Sequence, residues 1–276
     1  MSKIGSDVWK TDSVEKEWRE RYLSQLNMLK AQSEFMEERL SLLDFSSAEK
    51  VLEIGCGLGN DALILIKHLK EGGKYLGVDV NPEYVEKANA LFRNENLTDT
   101  ACAETADAMT MPMMPNYYDI VMIVRVLEHL TDPASLLKRV FEMLKPGGEL
   151  LCIEPDFATV SFNHPDIALT TRIMNSYFLD VLNYGTAGSK LREWFVNAGF
   201  KIKEIKSSSH ILLDYNFANL GLGLERTVWG YIVKTGKATQ EEATRFIEGL
   251  KQMSEKDIFF GTMTMITFVG KKPLEK

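Results

Sequence analysis

The sequence has little of what would declare a simple architecture. Its 276 residues include three cysteines, Cys56, Cys102 and Cys152, odd in number and far apart, so neither a disulfide framework nor a zinc site is expected. Free buried thiols are the plain reading, and no metal site is expected. No apolar run approaches the ~18 residues that a membrane helix needs, so no integral membrane segment is expected. No repeat recurs and no segment is compositionally biased. A basic stripe is also missing. Lys and Arg total 32 against 39 acids, for a net charge of −7, and the signs are interleaved, as in Glu15-Lys16-Glu17 and Glu37-Glu38-Arg39. Such runs read as solvated helix faces, and the acidic balance argues against a nucleic-acid partner. The opening residues Met1-Ser2-Lys3-Ile4-Gly5-Ser6-Asp7 carry no secretory pattern, which makes a reducing cytoplasm the expected compartment.

What is present is an ordinary globular composition, 45% hydrophobic and 26% charged. One elaborated domain is expected: a helical cap over 1–46, a core over 47–206 and 259–276, and a helical lid inserted at 207–258. In the cap, Asp12 and Glu15 form a capping-box pattern ahead of Val14, Trp18, Tyr22, Leu26 and Leu29 at helical spacing. From residue 50 the pattern alternates strand, turn and helix. Strands are predicted at 51–54, 75–80, 100–103, 119–124 and 149–153, with a sixth at 201–206 and a last at 262–270. Asn81-Pro82 and Asp132-Pro133 each supply an N-cap and a proline at the first helical position. Lys145-Pro146-Gly147-Gly148 breaks a helix. This succession implies an α/β fold, a doubly wound open parallel sheet with helices on both sides.

The chemistry-bearing segments follow the strands. Gly55-Cys56-Gly57-Leu58-Gly59 after the first strand allows a tight turn and close approach of backbone to a ligand; a purely structural turn is the alternative. The spacing is Gly-x-Gly-x-Gly, with Asn60 where dinucleotide enzymes place a third, later glycine. Asp79, ending the second strand, could accept both hydroxyls of a ribose, or merely cap the turn before Asn81. Asp107, after the third strand, falls on the same edge and could face an adenine amine.

Taken together, Glu53-x-Gly55-x-Gly57-x-Gly59, Asp79, Asp107-Ala108, Tyr118-Asp119-Ile120-Val121, Leu127-Glu128-His129-Leu130 and Leu144-Lys145-Pro146-Gly147-Gly148 occur in an order that resembles class I S-adenosylmethionine-dependent methyltransferases. They look most like the ubiquinone and menaquinone biosynthesis subgroup. The resemblance implies a Rossmann-like seven-stranded sheet with the last strand antiparallel, and S-adenosylmethionine lying across its carboxyl edge. It assigns Glu53, Gly55, Cys56, Gly57 and Gly59 to the methionine side, Asp79 and Val80 to the ribose, and Asp107 with Ala108 to the adenine. Arg125 takes a position whose backbone lies near the methionine part, where related sequences often carry Ser or Asn.

Methyl transfer from a sulfonium is an in-line displacement, so alignment and water exclusion dominate, and a base is needed only for an acidic nucleophile. His129 is the candidate base, with a helix-start role as its alternative. Glu154 and Asp156 point toward the crevice, and His164 and His210 lie in the additions. The region 47–150 holds six of the 27 aromatics and no Trp. The rest, including Trp9, Trp18, Tyr22, Tyr177, Tyr184, Tyr215 and Trp229, could form core or a box for a ring-bearing or amine substrate. The expected activity is therefore methyl transfer to an O, N or C atom of a small molecule. A cofactor-binding scaffold, a nicotinamide-dependent oxidoreductase and an aminopropyl transferase are the alternatives.

Overall fold

The computed structural model describes residues 30–177 and 182–274. The capping box at Asp12 and Glu15, and the aromatic candidates Trp9, Trp18 and Tyr22, lie outside them. Seven strands form one sheet in the order β3-β2-β1-β4-β5-β7-β6. Strands β1 (Lys50–Ile54), β2 (Lys74–Asp79), β3 (Ala101–Thr105), β4 (Tyr118–Val124) and β5 (Leu144–Phe162) pair in parallel. Strand β7 (Gly261–Lys271) enters antiparallel between β5 and β6 (Lys201–Leu212). The expected Rossmann-like sheet with an antiparallel last strand is thus observed.

Helices cover both faces. On one lie α1 (Lys30–Leu40), α2 (Asn60–Leu65) and α3 (Pro82–Asn94), whose Met36, Leu40, Ala62, Leu65, Ala88 and Phe92 are buried with Val51, Ile120 and Val269. On the other, α4 (Pro133–Met143) and α6 (Ala187–Ala198) bury Leu136, Val140, Leu191 and Phe195 against Leu52, Val121 and Cys152. Both proline-led helices start as read. Asn81 Oδ1 accepts from Glu83 N at 3.0 Å, and Asp132 Oδ1 from Ser135 N at 3.0 Å.

Two strands are longer than their patterns suggest. β5 begins at Leu144, five residues before the predicted Glu149, because Leu144 pairs with Tyr118 and the Lys145–Gly148 segment forms an irregularity within the strand. It continues to Phe162, and β6 runs to Leu212 instead of Lys206, since both pair with β7 along its whole length. Residues 207–212, expected in the lid, are therefore sheet.

This extension rises past the ends of β1–β4 and carries a third apolar cluster. Phe157, Val160, Phe162 and Leu212 pack with α5 (Ile167–Ser176), α7 (Tyr215–Leu222), the short α8 (Leu224–Thr227) and α9 (Gln240–Glu255). A full capping box, Thr239 with Glu242, starts α9. Cys56 and Cys152 are buried, whereas Cys102 is exposed: its side chain alternates to the outer face of β3.

Near its carboxyl end, β7 has no room for a side chain at Gly270, where an added Cβ would sit 2.6 Å from the Phe195 ring. Gly270→Ala is expected to lower stability by about 1–3 kcal/mol through overpacking. Adding Phe195→Leu should recover part of that loss relative to Phe195→Leu alone, as read from urea unfolding midpoints; strictly additive effects would show that the two sites do not collide.

Candidate functional site

The carboxyl ends of β1, β2 and β3 meet at one edge. After β1 the chain turns back so that Gly55 N and Cys56 N both donate to Val78 O, at 2.8 and 3.1 Å. Gly55 and Gly59 have φ of 76° and 78°, in the left-handed region. A Cβ on Gly55 would lie 2.3 Å from Val126, and one on Gly59 would lie 2.9 Å from the Phe92 ring. The turn therefore presents bare backbone toward the edge. Asp79 clamps it, Oδ2 accepting from Gly57 N at 3.0 Å and Oδ1 from Asn81 N at 2.9 Å. Burial raises the Asp79 carboxyl, and the amides of Asn81, Gly57 and Val80 partly offset that.

Beneath the turn, Glu53 is fully buried and accepts the Tyr75 hydroxyl. Burial, then the Asp61 charge, push its carboxyl well above the usual range. Burial also pushes the Cys56 thiol up, which leaves it un-ionised and unreactive. Past β3, Ala106 N donates to Asp79 O at 3.0 Å and ties the third strand end to the second. Asp107 is exposed and accepts from Met109 N at 2.9 Å; Ala108 is buried, its carbonyl taken by Arg139 Nε at 3.1 Å.

Arg125 follows β4 with φ 57°, its amide on Ile153 O at 2.8 Å. The next turn is held by one side chain. Glu154, with no exposed surface, accepts Val126 N and Leu127 N on Oε1, both at 2.9 Å, and Glu128 N on Oε2 at 3.4 Å. Burial, reinforced by the Glu128 charge, pushes the Glu154 carboxyl up to about 8. Glu128 is itself buried, with Oε1 3.1 Å from His129 Nε2. His129 is half-buried, and its carbonyl accepts Asn183 Nδ2 at 2.7 Å. Asp156 is buried and accepts Ala158 N at 3.2 Å.

The edge thus brings together the glycine turn, Asp79, Val80, Asp107, Arg125 and His129. It does not bring in three of the substrate candidates. His164 packs against Phe246, Tyr177 donates to Leu222 O at 2.7 Å, and Tyr215 donates to Glu225 Oε1 at 2.8 Å, all within the α5–α9 cluster, with Trp229 against it. Tyr184 lies edge-on to Trp194, with its amide on Glu128 O. His210 instead meets Phe35 of α1 at 5.0 Å between ring centroids, and burial, then the charges of Arg125 and Arg39, lower its pKa.

Sequence reading missed Arg39, Ser208 and Asp61. Arg39, read as solvated, is 1% exposed and donates to the Ser208 hydroxyl. The signal was available, because Met36, Arg39, Leu40 and Leu43 share one helical stripe.

A family model described as a methyltransferase domain matches residues 45–199. An uncharacterized 37.1 kDa protein in transposon Tn4556 of Streptomyces fradiae is 31% identical over 205 residues, which are 74% of this chain and 59% of that protein. A ubiquinone biosynthesis O-methyltransferase of Pseudomonas putida is 28% identical over 225 residues, covering 76% of this chain and 87% of the relative. In structure, a provisionally assigned methyltransferase of Bacillus halodurans superposes with a TM-score of 0.61 at 15% identity, over 86% of this chain and 98% of the other, which shows a shared fold.

The Glu154 geometry has a pH consequence. A carboxyl raised from 4.5 to about 8 stabilises the fold fully below the unfolded value, and that contribution is lost as pH rises toward 8. Thermal melts should therefore show stability falling from pH 5 to pH 8, with a shallower slope in Glu154→Gln; parallel curves would mean that Glu154 is ionised throughout.

Proposed function

The chain belongs to the methyltransferase-domain family and is an S-adenosylmethionine-dependent methyltransferase, and on that premise we propose that it methylates an O, N or C atom of a small, ring-bearing molecule. The observation that carries the cofactor assignment is the Asp79 clamp. Its Oδ2 holds the Gly57 amide and its Oδ1 the Asn81 amide, and the carboxylate keeps lone-pair capacity for a ribose hydroxyl, directly beside glycines that leave no side chain in the way. The residues present therefore fit the cofactor.

In this reading the Gly55–Gly59 backbone lies along the methionine part, with Glu53 bracing the turn from below. Val80 and Asp107 with Ala108 border the nucleoside, and Arg125 stands beside the methionine end. When bound, S-adenosylmethionine supplies a methyl group activated by its sulfonium. The chain's own work is to align the acceptor with that methyl group and keep water out. The α5–α9 helices on the extended strands are the part suited to act as a lid, although α7 starts at Tyr215. His129, oriented by Glu128 Oε1 and by Asn183 on its carbonyl, is the proposed base. A ring-bearing acceptor is preferred over an amine because two guanidinium groups, of Arg125 and Arg39, act on the same corner of the site. The Streptomyces fradiae relative extends well beyond the matched length, so the substrate stays a proposal.

Calorimetric titration tests the cofactor first. S-adenosylmethionine and S-adenosylhomocysteine should bind and NAD should not. Asp79→Ala should weaken the first two at least about 10-fold, the size expected for lost charge-assisted hydrogen bonds. Unchanged affinity would remove Asp79 from the ribose site. His129→Gln should lower kcat by about 10²-fold or more with cofactor affinity unaltered; an unchanged kcat would mean that alignment alone suffices.

A further inference from the structure

Arg39 is the least expected charge in the protein. It is 1% exposed, and although Nη2 donates to Ser208 Oγ, its Nε and Nη1 meet no hydrogen-bond acceptor in good geometry among the described residues. Nη1 lies 2.7 Å from Oε1 of Glu38, but that carboxylate is 62% exposed and solvated. A buried guanidinium with unfilled donors is costly to keep unless something fills them. Its surroundings are those of a ligand corner. The guanidinium sits 4.6 Å over the Phe35 ring, and Phe35 in turn meets His210 edge-on. Ser208 and His210 are two residues apart on β6, opposite Met265 and Met263, so their side chains share the face that α1 covers.

Arg125, just after β4, is the other cation near this corner. The groups facing it are Glu53 and Asp61, both of whose carboxyls are raised by burial, and His210. Burial, then the Arg125 and Arg39 charges, lower the His210 pKa, which places both cations within electrostatic reach of that ring. The corner therefore combines cations with an aromatic ring and an imidazole, in a chain whose net charge is −7.

We propose that Arg39, Ser208 and His210, faced by Arg125, recognise an oxyanion, a carboxylate or phosphate, carried by the methyl acceptor, whose ring packs against Phe35. The inference rests on the methyl-transfer reading and names the acceptor class for it. The Ser208 hydroxyl and Arg39, through its open Nε, supply neutral and charge-assisted hydrogen bonds to the oxyanion. Phe35 and the imidazole supply apolar contact for the ring.

The test uses the full-length protein saturated with S-adenosylhomocysteine and titrated with benzoate, phenyl phosphate and benzamide. The two anions should bind at least tenfold more tightly than the amide. Arg39→Gln should abolish that preference while leaving the S-adenosylhomocysteine Kd unchanged. Ser208→Ala, at a half-buried position that a fold should tolerate, should weaken the anions about threefold or more and serves if Arg39→Gln fails to fold. A preference for benzoate over phenyl phosphate, or the reverse, distinguishes the two oxyanion sources. Equal binding of benzamide and benzoate, no binding of either anion, or full anion affinity in both variants would overturn the proposal. So would an Arg39→Gln variant that loses S-adenosylhomocysteine alone, because the oxyanion recognised would then be the cofactor's. Failure of wild-type protein to bind S-adenosylhomocysteine would strike the underlying reading instead, and is seen before any anion is added.

Discussion

The antiparallel pairing of β7 with β5 and β6 is the constraint on which both halves of the site depend. The parallel strands β1 to β4 end together and by themselves offer only a shallow crevice. Because pairing continues from Glu149 with Lys271 to Phe162 with Gly261, and from Lys201 with Lys271 to Leu212 with Gly261, three neighbouring strands are carried beyond that edge and become a wall. Successive side chains point to opposite faces of it. One face holds the apolar cluster of α5, α7 and α9, and the other presents Ser208 and His210 to α1. The same hydrogen-bond ladder thus supports a helical cover and lines a polar corner.

Carboxylates at the two ends of the sheet are treated differently. At the amino end they are satisfied by lysines. Asp119 accepts Lys145 Nζ at 2.7 Å along with the amides of Glu49 and Lys50, and buried Glu149 takes Lys203 Nζ at 2.8 Å. Although burial alone would raise the Asp119 carboxyl, these partners hold it below its ordinary value. At the carboxyl end, Glu53, Asp79 and Glu154 meet hydroxyls and backbone amides, with burial raising all three. The first arrangement fixes strand ends. The second fixes the turns that leave the strands, through acceptors beneath them.

The alternation of strands and helices and the turns at the strand ends were largely legible in the sequence because each rests on local signals: glycines at a turn, an acid ending a strand, Asn-Pro and Asp-Pro starting helices; the antiparallel last strand came from the family resemblance, and the strand order only from the structure. What could not be read depends on pairing between distant segments. The lengths of β5 and β6 are set by β7, more than a hundred residues after β5 begins, and nothing local marks Ser207–Leu212 as strand. Tyr177 and Tyr215 were open between core and pocket, and only packing within the helical cover places them. Arg39 was misread because its neighbours Glu37 and Glu38 are exposed, although its own position belongs to the apolar stripe of α1.

Arg125 occupies a left-handed backbone position that glycine or asparagine would hold with less strain. The fold itself thus has a standing preference against the residue it carries there. A lineage under selection for stability alone would drift away from arginine at 125, and each such step would also strip a cation from the site. Retention of this side chain among descendants would accordingly report on a use of the cation that outweighs the backbone strain.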